Sequence, residues 1–217
     1  MKHLDDYTYL GEASIAIDDA RYAFGKAHNW TIDIESGQEV KAPNLLELYQ
    51  EWSKAKHFLL RYKRLDADMQ EKEQSVYQIE KPGELYDKIA ELEGFTMGWE
   101  ERAPELIAKV IDDQLKESAD EWQKYLEKAV DVGLDDSALD PMEAVDDYCD
   151  FRDNLEYVKM GLEMVRLEQP RLKAVSYLSE FEKRLKDLDV IFERVLGGRR
   201  EVEPYADKTF WWRHKSK

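Results

Sequence analysis

Two short runs of carboxylates are the residues best placed to do chemistry in this chain. Asp146-Asp147-Tyr148-Cys149-Asp150 puts three acids within five residues, and Glu117-Ser118-Ala119-Asp120 puts two more three apart. Carboxylates three or four residues apart share one side of a helix. Two such helices facing each other can hold Mg²⁺ and the polyphosphate it carries. The same acids also form rows. Glu143, Asp147 and Asp150 lie at i, i+4, i+7, with Asp146, Asp150 and Asp153 beside them, and Asp113, Glu117 and Asp120 repeat the pattern upstream. Turned outward, a row of this kind meets a basic protein surface or imitates a phosphate track. Like charges at these spacings cost a helix about 0.2–0.5 kcal/mol per pair. The plainest reading is a solvated face tolerated because the apolar side of the same helix is strong.

The rows belong to a strongly one-sided segment. From Pro82 to Glu168 there are 25 Asp and Glu against 9 Lys and Arg, while the rest of the chain carries 23 of each sign. The whole net charge of −16 therefore sits in the middle. A segment that repels itself needs an apolar face, a cation or a basic partner to stay folded.

The magnesium reading has a family likeness. The DDxxD and ExxD runs resemble those of helical isoprenoid synthases and of all-α nucleotide pyrophosphatases. The likeness covers these residues alone. It implies a Mg²⁺-dependent nucleotide or phosphate hydrolase with Glu117, Asp120, Asp146, Asp147 and Asp150 on the metal, and it would put the pyrophosphatase's first motif at Glu100-Glu101-Arg102-Ala103-Pro104-Glu105. Arg21 and His28, with six residues between, resemble the Arg and His pattern of helical HEPN-type ribonucleases, though Tyr22 stands where those carry a polar residue. An Arg and a His beside an apolar stripe explain the pair as well. Di-iron chemistry in a bundle wants Glu-x-x-His, and none of the four histidines has a Glu three residues before it. One cysteine and scattered histidines do not make a zinc site. No cofactor is expected.

Two further surfaces stand out. Lys54, His57, Arg61 and Arg64 form a basic row, with Lys56 and Lys63 nearby, suited to acidic rows of this chain, of a second copy or of another protein. Near the C-terminus, Phe210-Trp211-Trp212-Arg213 gathers residue types that dominate binding hot spots. The alternatives are a solvated basic face and a tail folded back on the bundle.

The elements that position these residues are helices. Leu10, Ala13, Ile17, Ala20, Phe24 and Ala27 step by three and four, predicting a helix from about Tyr7 to His28. Trp30, Ile32 and Ile34 then alternate with polar residues before Ser36-Gly37, the pattern of a short β-hairpin over residues 30–41. A second helix begins near Pro43 on Leu45, Leu48, Trp52, Ala55, Leu59 and Tyr62 and fades near Met69. Others run from Glu84 to about Glu101, from Pro104 toward Gly133, from Pro141 onward, and from beyond Pro170 to Gly197. The seams on either side of Pro170 have coiled-coil spacing but differ in phase. That pattern predicts a helical hairpin, with one Pro-kinked helix as the alternative.

The expectation is an all-α antiparallel bundle of about six helices. Residues 1–198 form one domain, 141–198 a semi-independent hairpin and 199–217 a tail. A 43% hydrophobic content with 12% aromatics is enough for a real core. No apolar run reaches the roughly 20 residues a spanning helix needs. The start Met1-Lys2-His3-Leu4-Asp5-Asp6 has no secretory core, and one cysteine fits a reducing compartment, so a cytoplasmic location is expected. The acidic balance disfavours direct nucleic-acid or anionic-membrane binding. The functional expectation is a non-catalytic protein that binds another protein, through Asp113, Glu117, Asp120, Glu143, Asp146, Asp147, Asp150 and Asp153 on the acidic faces and Trp211, Trp212 and Arg213 in the tail. The runner-up is an acidic decoy blocking a basic nucleic-acid-binding protein, and a homodimer is compatible with either.

Overall fold

A computed structural model describes residues 9–76, 81–131, 141–168 and 177–195. They form seven helices, with no strand among the described residues: α1 (Tyr9–Glu35), α2 (Leu45–Lys63), α3 (Ala67–Val76), α4 (Pro82–Glu100), α5 (Pro104–Asp131), α6 (Pro141–Glu168) and α7 (Leu178–Val195). The all-α expectation holds. The helices fall into two compact units. The first takes α1 to α4, α5 through Ile111, and α6 from Tyr157; the second takes α5 from Asp112, α6 through Glu156, and α7.

In the first unit α1 and α2 pack antiparallel. The α1 stripe is mostly alanine, with Ala13, Ala16, Ala20, Ala23 and Ala27 all buried, which lets the neighbouring backbone come close. Asn44 caps α2, its side chain accepting from the Leu46 amide at 3.1 Å. Lys26 meets Glu47 at 3.3 Å near one end of the pair, and the rings of Tyr9 and Phe58 lie 6.4 Å apart near the other. Helix α4 lies against both: Trp99 Nε1 donates to Thr31 Oγ1 at 3.1 Å, and Tyr49 donates its hydroxyl to Glu100 at 2.8 Å. On another side of α2, Ser53 donates its hydroxyl to the Tyr157 carbonyl of α6. Gly161 makes this approach possible, because a Cβ there would stand 3.0 Å from the Tyr49 carbonyl carbon.

The predicted hairpin at 30–41 is not formed. Helix α1 runs on to Glu35, with Trp30 and Thr31 buried in its packing. Ser36-Gly37 is the helix's end instead of a hairpin turn. Gly37 takes φ +81°, its amide donates to the Ile34 carbonyl at 2.9 Å, and Gln38 donates to Asp33 at 3.0 Å. That pair of bonds closes a helix on a left-handed glycine. Helix α3 is also additional to the expected set. It has no apolar stripe and is held by polar side chains: Gln70 donates to the Tyr62 and Leu65 carbonyls, Gln74 to the Tyr62 hydroxyl, and Glu73 accepts from the Leu10 amide at the start of α1.

In the second unit, Leu115 and Ala119 of α5, Cys149 and Leu155 of α6, and Leu178, Phe181, Leu185, Leu188 and Phe192 of α7 are buried. Trp122 stacks on Phe151 with ring centres 4.0 Å apart. Arg152 bonds Asp189 at 2.9 Å. An unbroken helix would hold these two roughly 55 Å apart at 1.5 Å per residue. Helix α7 therefore lies back beside α6, as a hairpin requires.

Candidate protein-binding surface

The surface is built on α5, whose apolar positions Leu115 and Ala119 fix which side turns outward. Asp113 and Glu117 lie one turn apart on the exposed side. Among the described residues neither enters an ion pair. Their neighbours differ. Asp112 turns inward, where its carboxylate accepts the Tyr177 amide at 3.0 Å and holds the chain just before α7. Asp120 is half exposed and lies 2.6 Å from Arg184 Nη2. Arg184 also donates to the Tyr177 hydroxyl at 3.2 Å and to Gln123 at 2.9 Å. Its pKa is raised further, first by the Tyr177 hydrogen bond and then, against some burial, by Asp120. Lys109, Lys116 and Lys124 are interleaved at exposed positions of the same helix, and Lys116 sits 5.0 Å over the Tyr177 ring.

On α6, Asp150 is exposed and Asp153 half-buried, both with polar partners. Glu143, Asp146 and Asp147 belong to the first turns of that helix, and their side chains lie outside the described residues. Trp211, Trp212 and Arg213 lie outside them altogether. No group of three or more His, Cys, Asp or Glu comes together as a metal site among the described residues. Within the set read as magnesium ligands, Asp120 already has a guanidinium on its oxygen. Glu100 of the companion motif is buried and accepts the Tyr49 hydroxyl. Burial and that carboxylate raise the Tyr49 pKa well above its usual value.

Most of the basic row of α2 is used inside the first unit, while Lys63 and Arg64 are exposed. Lys56 pairs with Glu93 of α4 at 2.7 Å and lies 4.6 Å over the Trp52 ring. Lys54 reaches Glu51 at 3.4 Å. His57 stands edge-on to Tyr157, with ring centres 5.6 Å apart, and Arg61 covers the Tyr9 ring. Arg21 pairs with Glu91, and His28 meets the Phe24 ring at 5.8 Å, so both residues of the ribonuclease-like pair have packing roles.

A three-residue lock in the second unit has little signature in the sequence. Arg152 is 6% exposed and grips Asp189 through Nε at 2.9 Å and Nη2 at 3.3 Å, while Nη1 donates to Glu156 at 3.1 Å. Burial works against the charge, but the Asp189 and Glu156 carboxylates outweigh it and raise the Arg152 pKa. The available signal was the i, i+4 spacing of Arg152 and Glu156, which an exposed face also carries.

Comparison of the chain with protein-family models, curated proteins and solved structures yields no match.

Proposed function

We propose that this is a non-catalytic binding protein that engages a basic surface of another protein through the carboxylate face of α5. The acids of α6 extend the face, and Trp211, Trp212 and Arg213 anchor the contact. One observation carries this reading: Asp113 and Glu117 are exposed without an ion pair among the described residues, while Asp112 and Asp120 beside them are engaged by the fold. Like charges one turn apart cost the helix stability, and binding a cationic partner would offset that cost.

A protein surface fits this face better than a mimic of nucleic acid. Three lysines of α5, exposed among the described residues, interrupt any continuous track of negative charge. Mixed signs with an acidic excess suit a partner with a matching mixed pattern.

The test is affinity capture of partners from native cells, with the captured protein then purified for titration. Asp113→Lys with Glu117→Lys should weaken its binding about tenfold or more, and wild-type binding should fall steeply between ~0.1 M and ~0.5 M salt. Binding indifferent to both would sink the proposal.

A further inference from the structure

We infer that the outward face of α4 is a second, separate docking surface, and that its occupant is a basic amphipathic helix of a partner protein. Ala90, Gly94 and Gly98 follow one another at four-residue steps and are all exposed. Glycine is unfavourable inside a helix, so a mid-helix glycine needs a reason. Gly161 has one within the fold, since a Cβ there collides with the Tyr49 backbone. Gly94 and Gly98, like Gly25 of α1, have no such collision, because a Cβ at any of them meets nothing within 4 Å, and only Gly94 and Gly98 share one exposed strip.

Two aromatics wall this open strip, and both are large apolar groups left in water. Phe95 is 55% exposed and Tyr86 is 43% exposed. Each is held in place from behind. Phe95 stacks on Phe24 of α1 with ring centres 6.2 Å apart, and Tyr86 donates to the Leu59 carbonyl at 3.4 Å. Walls and floor together fit the large side chains of a helix laid along them.

Charge selects the occupant. Glu84, Asp87 and Glu91 are exposed along the same strip, and none of the exposed positions of α4 is Lys or Arg. Arg21 answers Glu91 alone. A second copy of this chain meeting this face with its own α4 would bring carboxylates onto carboxylates, and a nucleic acid or anionic membrane would be repelled. A helix with an apolar stripe flanked by Lys or Arg satisfies both the walls and the rim.

The probe is a synthetic helical peptide of Leu and Lys, about 16 residues long, with its leucines at i, i+3, i+4 and i+7. It is titrated calorimetrically into the full chain beside a scrambled peptide of the same composition. The striped peptide should bind at one site about tenfold more tightly than the scrambled one. Gly98→Leu, which fills open space and leaves the melting curve intact, should cost about tenfold in affinity, as should Phe95→Ala. Asp113→Lys with Glu117→Lys should change it less than about twofold, which separates this face from the one proposed on α5. Equal binding of the two peptides, indifference to Gly98→Leu, or loss of binding on reversing Asp113 and Glu117 would overturn the inference. So would a dimer seen by sedimentation and abolished by Gly98→Leu, which would assign the face to a second copy.

Discussion

Single side chains hold much of the polar architecture, and two of them lead to direct tests. Arg152 satisfies two carboxylates at once in a site almost closed to water. Removing it leaves Asp189 and Glu156 buried without their counter-charge. Arg152→Ala should therefore lower unfolding free energy by about 3–5 kcal/mol, as broken buried pairs do. Replacing Arg152, Glu156 and Asp189 together by apolar residues of similar volume should cost far less, and urea denaturation of both variants measures the difference. Glu73 behaves in the opposite sense. Burial raises its carboxyl pKa, and the Leu10 and Tyr9 amides recover only part of the shift. A carboxyl raised in the folded state makes the fold more stable as pH falls from its folded pKa toward its unfolded one. Its contribution is present below the unfolded value, near the 4.5 of an ordinary Glu carboxyl, and is lost as pH rises through the folded value. Glu73→Gln should flatten that slope, seen as a smaller gain in unfolding free energy between pH 7 and pH 5 than wild type shows.

Among elements, the helices with apolar stripes were legible and those held by other means were not. The stripe of α2 appears in the fold with every predicted member buried, because three-and-four spacing has one geometrical meaning on a long segment. Residues 30–35 look like a strand in sequence because Trp30, Ile32 and Ile34 carry a two-residue alternation. Six residues of alternation cannot compete with a helix already propagating for five turns and gaining burial of Trp30 and Thr31. Gly37 has the left-handed freedom a turn needs, and the same freedom serves a helix end. Gly37→Ala should cost about 1 kcal/mol, since its φ of +81° disfavours any side chain. Thermal melts with Gly25→Ala as a control, where a Cβ finds open space, would measure it. Helix α3 was missed because hydrogen bonds from Gln70, Glu73 and Gln74 dock it, and no periodicity announces such bonds. The outward acids of α5 were legible from spacing. The diversion of Asp112 to the Tyr177 amide and of Asp120 to Arg184 was not, because both partners lie more than sixty residues away in sequence.

For the whole molecule, charge is the governing quantity. A net charge of −16 gathered in one stretch of sequence makes self-repulsion a standing cost of the folded state. Screening reduces that cost, as the Debye length shrinks from about 30 Å at 0.01 M salt to about 10 Å at 0.1 M. Melting temperature should therefore rise by several degrees over that range of sodium chloride. The exposed pairs Arg21–Glu91 and Lys26–Glu47 weaken at the same time, but such pairs contribute little. A fall in melting temperature on adding salt would show attractive pairs outweighing repulsion.

The route of the chain through its two units limits how the molecule can be cut. The first unit is completed only when residues 157–168 return to lie on α2, long after its first 111 residues have been made. A polypeptide stopped at Ile111 would leave Tyr49, Ser53 and His57 without the segment that covers them. Ribosomal synthesis meets the same gap, for the amino-terminal helices must wait for distant sequence before their last face closes. Neither half of this molecule is a portable module that recombination could lift out and reuse.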